Sequence, residues 1–193
     1  MNKVMYIYNG DVNVVISKYE VVEIYHYCVD KDVNVNIKLN GEYAKVIYHL
    51  GIISYRSIKC TVKVEHEFSN TYSEVICHGV NASNNELVFD VDGVVLNESS
   101  NCTCLEDNQI INLKDGKSVI KPNLYIRNYD TFSKHSAYIG NFNKDKIFYL
   151  MSRGINESVT KKMLVEHLLI GNGSIEEDVV KQFMKDIMEV FNG

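Results

Sequence analysis

The sequence predicts a mostly β fold closed by two C-terminal α-helices, and three observations carry that expectation. Short runs of alternating apolar and polar residues recur from Met1 to about residue 150, the period-2 mark of half-buried strands. Asn, Asp and Gly punctuate these runs at short intervals. After Gly154 the apolar spacing changes to that of helices with one buried face.

Element by element, Val33-Asn34-Val35-Asn36-Ile37-Lys38-Leu39 alternates strictly, and Asn40-Gly41 reads as the turn that ends it. Ile58 to Val64 alternates again and places Cys60 on the apolar face, where a buried thiol acts as a small hydrophobe. Leu87, Phe89 and Val91 share the face of the next strand, and Asp92-Gly93 reads as a turn into Val94-Val95-Leu96. Ile110-Ile111-Asn112-Leu113 is ended by Lys114-Asp115-Gly116. The single proline, Pro122, reads as the opener of a strand, where it breaks no ladder. Ile147 to Met151 reads as a last, aromatic strand. Such strands suit a sandwich, a barrel or a stack of β-helical rungs, and without a strict repeat the periodicity does not choose among them.

Asn156 is placed to cap the first helix, whose apolar positions include Val159, Met163, Leu164 and Leu168, with Gly171 and Gly173 ending it. Ser174 with Glu177 three residues on reads as a capping box for the second. Ile175, Val179, Val180, Phe183, Met184, Ile187, Met188 and Phe191 form its broad apolar face; Glu176, Asp178, Lys181, Lys185 and Glu189 form the other. Packing on the strands is the simplest use of that stripe, and docking a partner is the alternative.

The 193 residues suit one domain, with 46% hydrophobic and 23% charged residues, an ordinary soluble composition. A net charge of -5 without a long basic run argues against a nucleic-acid surface. The apolar run at Met1–Tyr8 is too short for a signal peptide, and no segment reaches the roughly 20 apolar residues of a membrane span. A cytoplasmic location is the expectation. Five scattered cysteines, Cys28, Cys60, Cys77, Cys102 and Cys104, argue against a disulfide framework. There is no Walker motif, no HExxH and no Gly-x-Ser-x-Gly elbow, so the chain is not expected to bind ATP or to act as an enzyme. Asp90, Asp92 and Glu98 are the best candidates for a carbohydrate-acting β-helix enzyme, and they read more simply as solvated.

The most specific feature is an ordered series: Pro122-Asn123-Leu124-Tyr125-Ile126, an acidic turn at Asp130, His135, Gly140, Ile147 to Met151, then Ser152-Arg153-Gly154-Ile155. This series resembles the C-terminal signature of the SufB/SufD family, scaffold subunits of an iron–sulfur cluster assembly machine, most clearly from about Cys104 to Leu169. The resemblance implies a right-handed parallel β-helix over residues 1–150 and helices over 156–192 that dock an ABC-type ATPase resembling SufC. It also implies pairing with a second SufB/SufD-like subunit, or with a second copy as a homodimer. The expected role is a scaffold holding a transient iron–sulfur cluster, and the alternative is a structural half of such a complex that ligates nothing.

Within that resemblance His135 is the first candidate ligand, since a neutral imidazole nitrogen can hold iron. Cys104 is the second, and Cys102, two residues away, would face the same side of a strand. Ser133 stands where many SufD relatives carry cysteine, Ser136 where SufB relatives carry glutamate, and the SufB scaffold cysteine would fall at Asp107. Ser152, Arg153 and Gly154 read as architecture, with the Arg153 fork tying strand ends or a carboxylate across a strand-to-helix turn.

Overall fold

The computed structural model describes residues 2–174 and 177–192. The described strands are β1 (Asn2–Tyr8), β2 (Val12–Ser17), β3 (Val21–Val29), β4 (Val33–Asn40), β5 (Lys45–Ser54), β6 (Ile58–His66), β7 (Tyr72–Asn81), β8 (Glu86–Val95), β9 (Cys102–Asn112), β10 (Lys117–Ile126) and β11 (Thr131–Gly140). Helices α1 (Lys144–Ser152), α2 (Glu157–Ile170) and α3 (Asp178–Asn192) follow.

Odd-numbered strands form one sheet in the order β1-β3-β5-β7-β9-β11, and even-numbered strands form the other, β10-β8-β6-β4-β2. Neighbours in both sheets pair in parallel. Each odd–even pair of strands is therefore one rung stacked on the last. This is a parallel β-helix, which settles the choice that periodicity left open.

The alternation seen in the sequence becomes the inside and outside of this solenoid. Val33, Val35, Ile37 and Leu39 of β4, and Ile58, Cys60, Val62 and Val64 of β6, are all buried inward. Corners between strands use left-handed residues: Asn9, Tyr19, Asp30, Tyr43, Asn70 and Asn101 have φ between 49° and 63°. Asn and Asp adopt that region at low cost. Tyr19 and Tyr43 gain a stacked ring contact at 5.2 Å in return.

A second apolar layer lies outside the six-stranded sheet. Tyr25, Tyr27 and Ile53 meet Val165, Leu169 and Ile170 of α2 and Val180, Phe183 and Ile187 of α3. The Tyr27 hydroxyl donates to the Ile170 carbonyl, and its ring lies 5.0 Å from Phe183. Tyr8 donates to Asp186 of α3. Gly51 lets α2 approach β5, because a Cβ there would collide with the Leu169 carbonyl. Val179, Val180, Phe183, Met184 and Ile187 of the α3 stripe are thus used in packing, while Met188 is exposed; Ile175, Glu176 and the Phe191 side chain lie outside the described residues.

Four expectations change. The Ile147–Met151 run is part of α1, so strands end at Gly140 and three helices, not two, close the described chain. Asn143 caps α1 by accepting from the Asp145 amide, which starts a helix where apolar content alone suggested a strand. Asp92-Gly93 lies inside β8 and makes no turn. Pro122 lies within β10, at the sheet edge, where its missing N–H costs no ladder bond to an outer strand. Asn156 does cap α2 and Gly171 ends it, but α3 opens at Asp178, so Glu177 rather than Ser174 stands next to its first residue.

Candidate functional site

The last rung is open. β11 ends one sheet and β10 ends the other, and no described strand covers either. Their ladder groups and inward side chains therefore meet no further rung, while Tyr125, Phe132, Tyr138 and Ile139 are all exposed.

The candidate ligands gather around this end without converging. Cys102 and Cys104 point inward from β9 and are buried, opposite Thr131 and Ser133 of β11. His135 lies two residues beyond Ser133 on the same face of β11, exposed, in register with Glu106. One strand spacing and two residues put the Cys104 and His135 Cα atoms about 8 Å apart. Among the described residues, no three His, Cys, Asp or Glu side chains come together as a metal site.

Burial holds four of the thiols, Cys28, Cys60, Cys77 and Cys104, in their neutral form. Burial pushes the Cys104 thiol up to about 11, although the Ser73 side chain pulls the other way, and it pushes Cys28 up to about 12. Cys60 and Cys77 are raised by burial as well. The thiolate is what ligates soft metals, so Cys104 needs an opened rung or a bound ion before it can serve. Cys102 instead shares a polar cluster: its sulfur is 3.2 Å from the Thr71 hydroxyl, which lies 2.8 Å from the His66 ring.

On the outer face of the same strands, the Ser136 hydroxyl donates to Asp107. Asp107 lies 3.8 Å from Nε2 of His78, whose Nδ1 donates to the Leu168 carbonyl at 3.0 Å. The two positions at which the SufB resemblance leads one to look for cysteine and glutamate are therefore paired neighbours, as Asp107 and Ser136. Parity separates them from His135, which is on the other face.

Sequence reasoning missed Glu106 and Asn108. Both are buried on the inner face of β9. Burial, then the Asp92 carboxylate, pushes the Glu106 carboxyl up to about 8, with the Gly93 backbone pulling the other way. The signal was present: Cys102, Cys104, Glu106, Asn108 and Ile110 share one parity, so a strand begun at Cys102 rather than Ile110 puts both inside. Ser152, Arg153 and Gly154 join α1 to α2 rather than a strand to a helix. Ser152 donates to the Tyr149 carbonyl, Arg153 lies over the Tyr149 ring at 5.3 Å, and Gly154 takes φ 86°.

Two shallow hollows flank the helices near this end. One of about 480 Å³ lies between the Leu113–Asp115 corner and Phe148, Met151 and Lys161. The other, of about 520 Å³, is lined by His78, Gln109, Tyr138, Phe142 and His167. No described helix is long and apolar enough to cross a membrane.

A family model, the SufBD core domain of the SUF iron–sulfur cluster assembly system, matches residues 15–168. No curated protein matches the chain.

Proposed function

This chain belongs to the SufB/SufD family of the SUF cluster assembly system, and from that premise we propose that it is a scaffold subunit on which a transient iron–sulfur cluster is built. The observation that carries the reading is the open final rung. It leaves the outer edges of β10 and β11 without a partner strand among the described residues and presents His135 near buried Cys104. A second SufB/SufD-like subunit, or a second copy of the chain, would add to those edges by strand pairing and cover Phe132, Tyr138 and Ile139. The exposed Phe148, Tyr149 and Met151 of α1, next to the larger helices, offer an apolar face to a SufC-like ATPase. ATP would be hydrolysed by that partner, and this chain would turn over nothing by itself. A cytoplasmic site of work is part of the same proposal.

A second reading has its own support. Ser133 and Asp107 stand where cysteines would strengthen soft-metal binding, and Cys104 is a buried, neutral thiol. A structural half that completes the complex without ligating fits those facts.

Anaerobic purification of the tagged chain from its host, with assay of iron and sulfide, tests the proposal. Co-purification of an ABC-type ATPase with metal and sulfide supports the scaffold, and loss of both metal and sulfide in His135→Ala assigns His135. The ATPase without metal supports the structural half. A chain recovered alone and metal-free overturns both.

A further inference from the structure

Among the buried oxygens near the open rung that have no hydrogen-bond partner are both carboxyl oxygens of Glu106 and Oδ1 of Asn108. Glu106 is 4% exposed and Asn108 0%. They are two residues apart on the inner face of β9, so their Cα atoms are about 7 Å apart and their side chains run side by side. The preceding strand carries Val75 and Cys77 at the paired positions, so an apolar filling of this space is available to the fold.

Burying a carboxyl whose one nearby donor is the Gly93 backbone, too poorly placed for a full hydrogen bond, is unfavourable whether the group is ionised or neutral. The sequence also keeps room for it. A Cβ on Gly93, across the interior, would lie 2.9 Å from Oε1 of Glu106 and 2.5 Å from Sγ of Cys104. The glycine misread as a turn is thus the clearance for this carboxyl.

Unpartnered oxygens that only accept are satisfied by positive charge. We propose that Glu106 and Asn108 form a binding site for one hard divalent cation, entered through the open end of the solenoid beside His135. Carboxylate and amide oxygens are hard donors, suited to Mn²⁺, Fe²⁺ or Mg²⁺. The His135 imidazole, in register with Glu106, adds a nitrogen that favours the transition metals over Mg²⁺. A bound cation also reverses the effect of burial on Glu106 and holds it ionised. Only the identification of the ion as ferrous iron, the cargo of cluster assembly, rests on the scaffold reading; the site itself rests on the unpartnered oxygens.

The test is titration of the full chain with manganese(II) alone, followed by the paramagnetic resonance of the free ion, then anaerobic competition with ferrous iron. One saturable manganese per chain is expected, displaced by iron. Glu106→Gln and Asn108→Leu should each weaken binding by about tenfold or more, while Val15→Ala, an exposed position on β2 at the far end of the solenoid, should leave it within about twofold. Glu106→Gln keeps the size of the side chain, and a cooperative thermal melt verifies that the variant is folded. No saturable site, or unchanged binding in folded Glu106→Gln, overturns the proposal and leaves Glu106 a neutral acid donating to Asn108. Manganese bound through Glu106 in a chain that recruits no ATPase keeps the cation site and sinks the scaffold reading. Cluster recovered with the complex despite unchanged binding in Glu106→Gln does the reverse.

Discussion

The two ends of the solenoid interior share the same columns of residues and fill them with opposite chemistry. One inner column runs Ile24, Tyr48, Val75, Glu106 and His135; the next runs His26, Leu50, Cys77, Asn108 and Ala137; a third runs Val22, Val46, Ser73, Cys104 and Ser133. Toward β3 and β5 the filling is mostly aliphatic and aromatic and fully buried, with His26 bonded on both ring nitrogens. Toward β9 and β11 it turns polar and loses its partners. A stack of rungs has no need for such a gradient, because any rung can be filled like its neighbour. The polar end therefore marks where stability yields to binding.

The largest expected effect tests the dry end. Ile37→Ala removes a fully buried branched side chain from the middle of β4, and should cost about 2–5 kcal/mol in a urea unfolding experiment. A cost below about 1 kcal/mol would mean that this end is no better packed than the open one.

Much of the dry end was legible in advance. Strict alternation in Val33–Leu39 and Ile58–Val64 reports a one-sided burial that any two-sheet β fold shares, so the strands could be read while their closure into a helix could not. That closure depends on which strands pair, β4 with β6 and not with β5, and pairing leaves no local trace. Gly93 misled because a glycine made necessary by close packing against Cys104 and Glu106 has the same letter as one made necessary by a turn. The Ile147–Met151 run misled because α1 buries none of its residues, so its apolar letters carry no helical stripe. At the site, His135 and Cys104 were found through the family series, while Glu106 and Asn108 needed the parity of a strand whose start had been placed too late.

The second prediction concerns acid. His26 and His66 are fully buried and bonded to neutral partners, Tyr48 and Cys28 for the first, Thr71 and Ser73 for the second. Burial pulls both down to about 4; for His26 the Gly10 backbone and Asp11 partly oppose this and Lys31 assists it. With the unfolded imidazole near 6.5, the unfolded chain binds more protons between those values, so stability falls as pH drops from about 6.5 to 4. Each histidine contributes up to about 3 kcal/mol of that loss. Glu106, raised to about 8, acts in the opposite sense above its usual value, so the measurement belongs in the Glu106→Gln background. Urea midpoints there at about pH 7 and pH 5 should differ, and His66→Gln should shrink the difference.

A smaller effect, of opposite sign, is expected at the polar end. Glu106→Leu replaces an unpartnered carboxyl with an apolar group and should raise the unfolding free energy by about 1–3 kcal/mol near pH 7. Gly93 leaves the space that the branched side chain needs. A gain in stability together with lost manganese binding would show that the site is maintained against the interest of the fold. A loss of stability would mean that Glu106 has a structural partner, and the contrast between the two ends would weaken.

The smallest effect on folding is the most telling about function. His135 occupies the same inner column as Ile24, yet it stands on an uncovered strand. Removing an exposed side chain that ties no other element together changes stability by less than about 0.5 kcal/mol. His135→Ala should therefore melt like the parent chain. If its iron and sulfide content falls in the complex while its melt does not move, the column has been divided by the fold into residues that hold the solenoid and one that serves what binds at its mouth. A melt lowered by several degrees would place His135 with the structural residues and return the open rung to the role of a pairing edge alone.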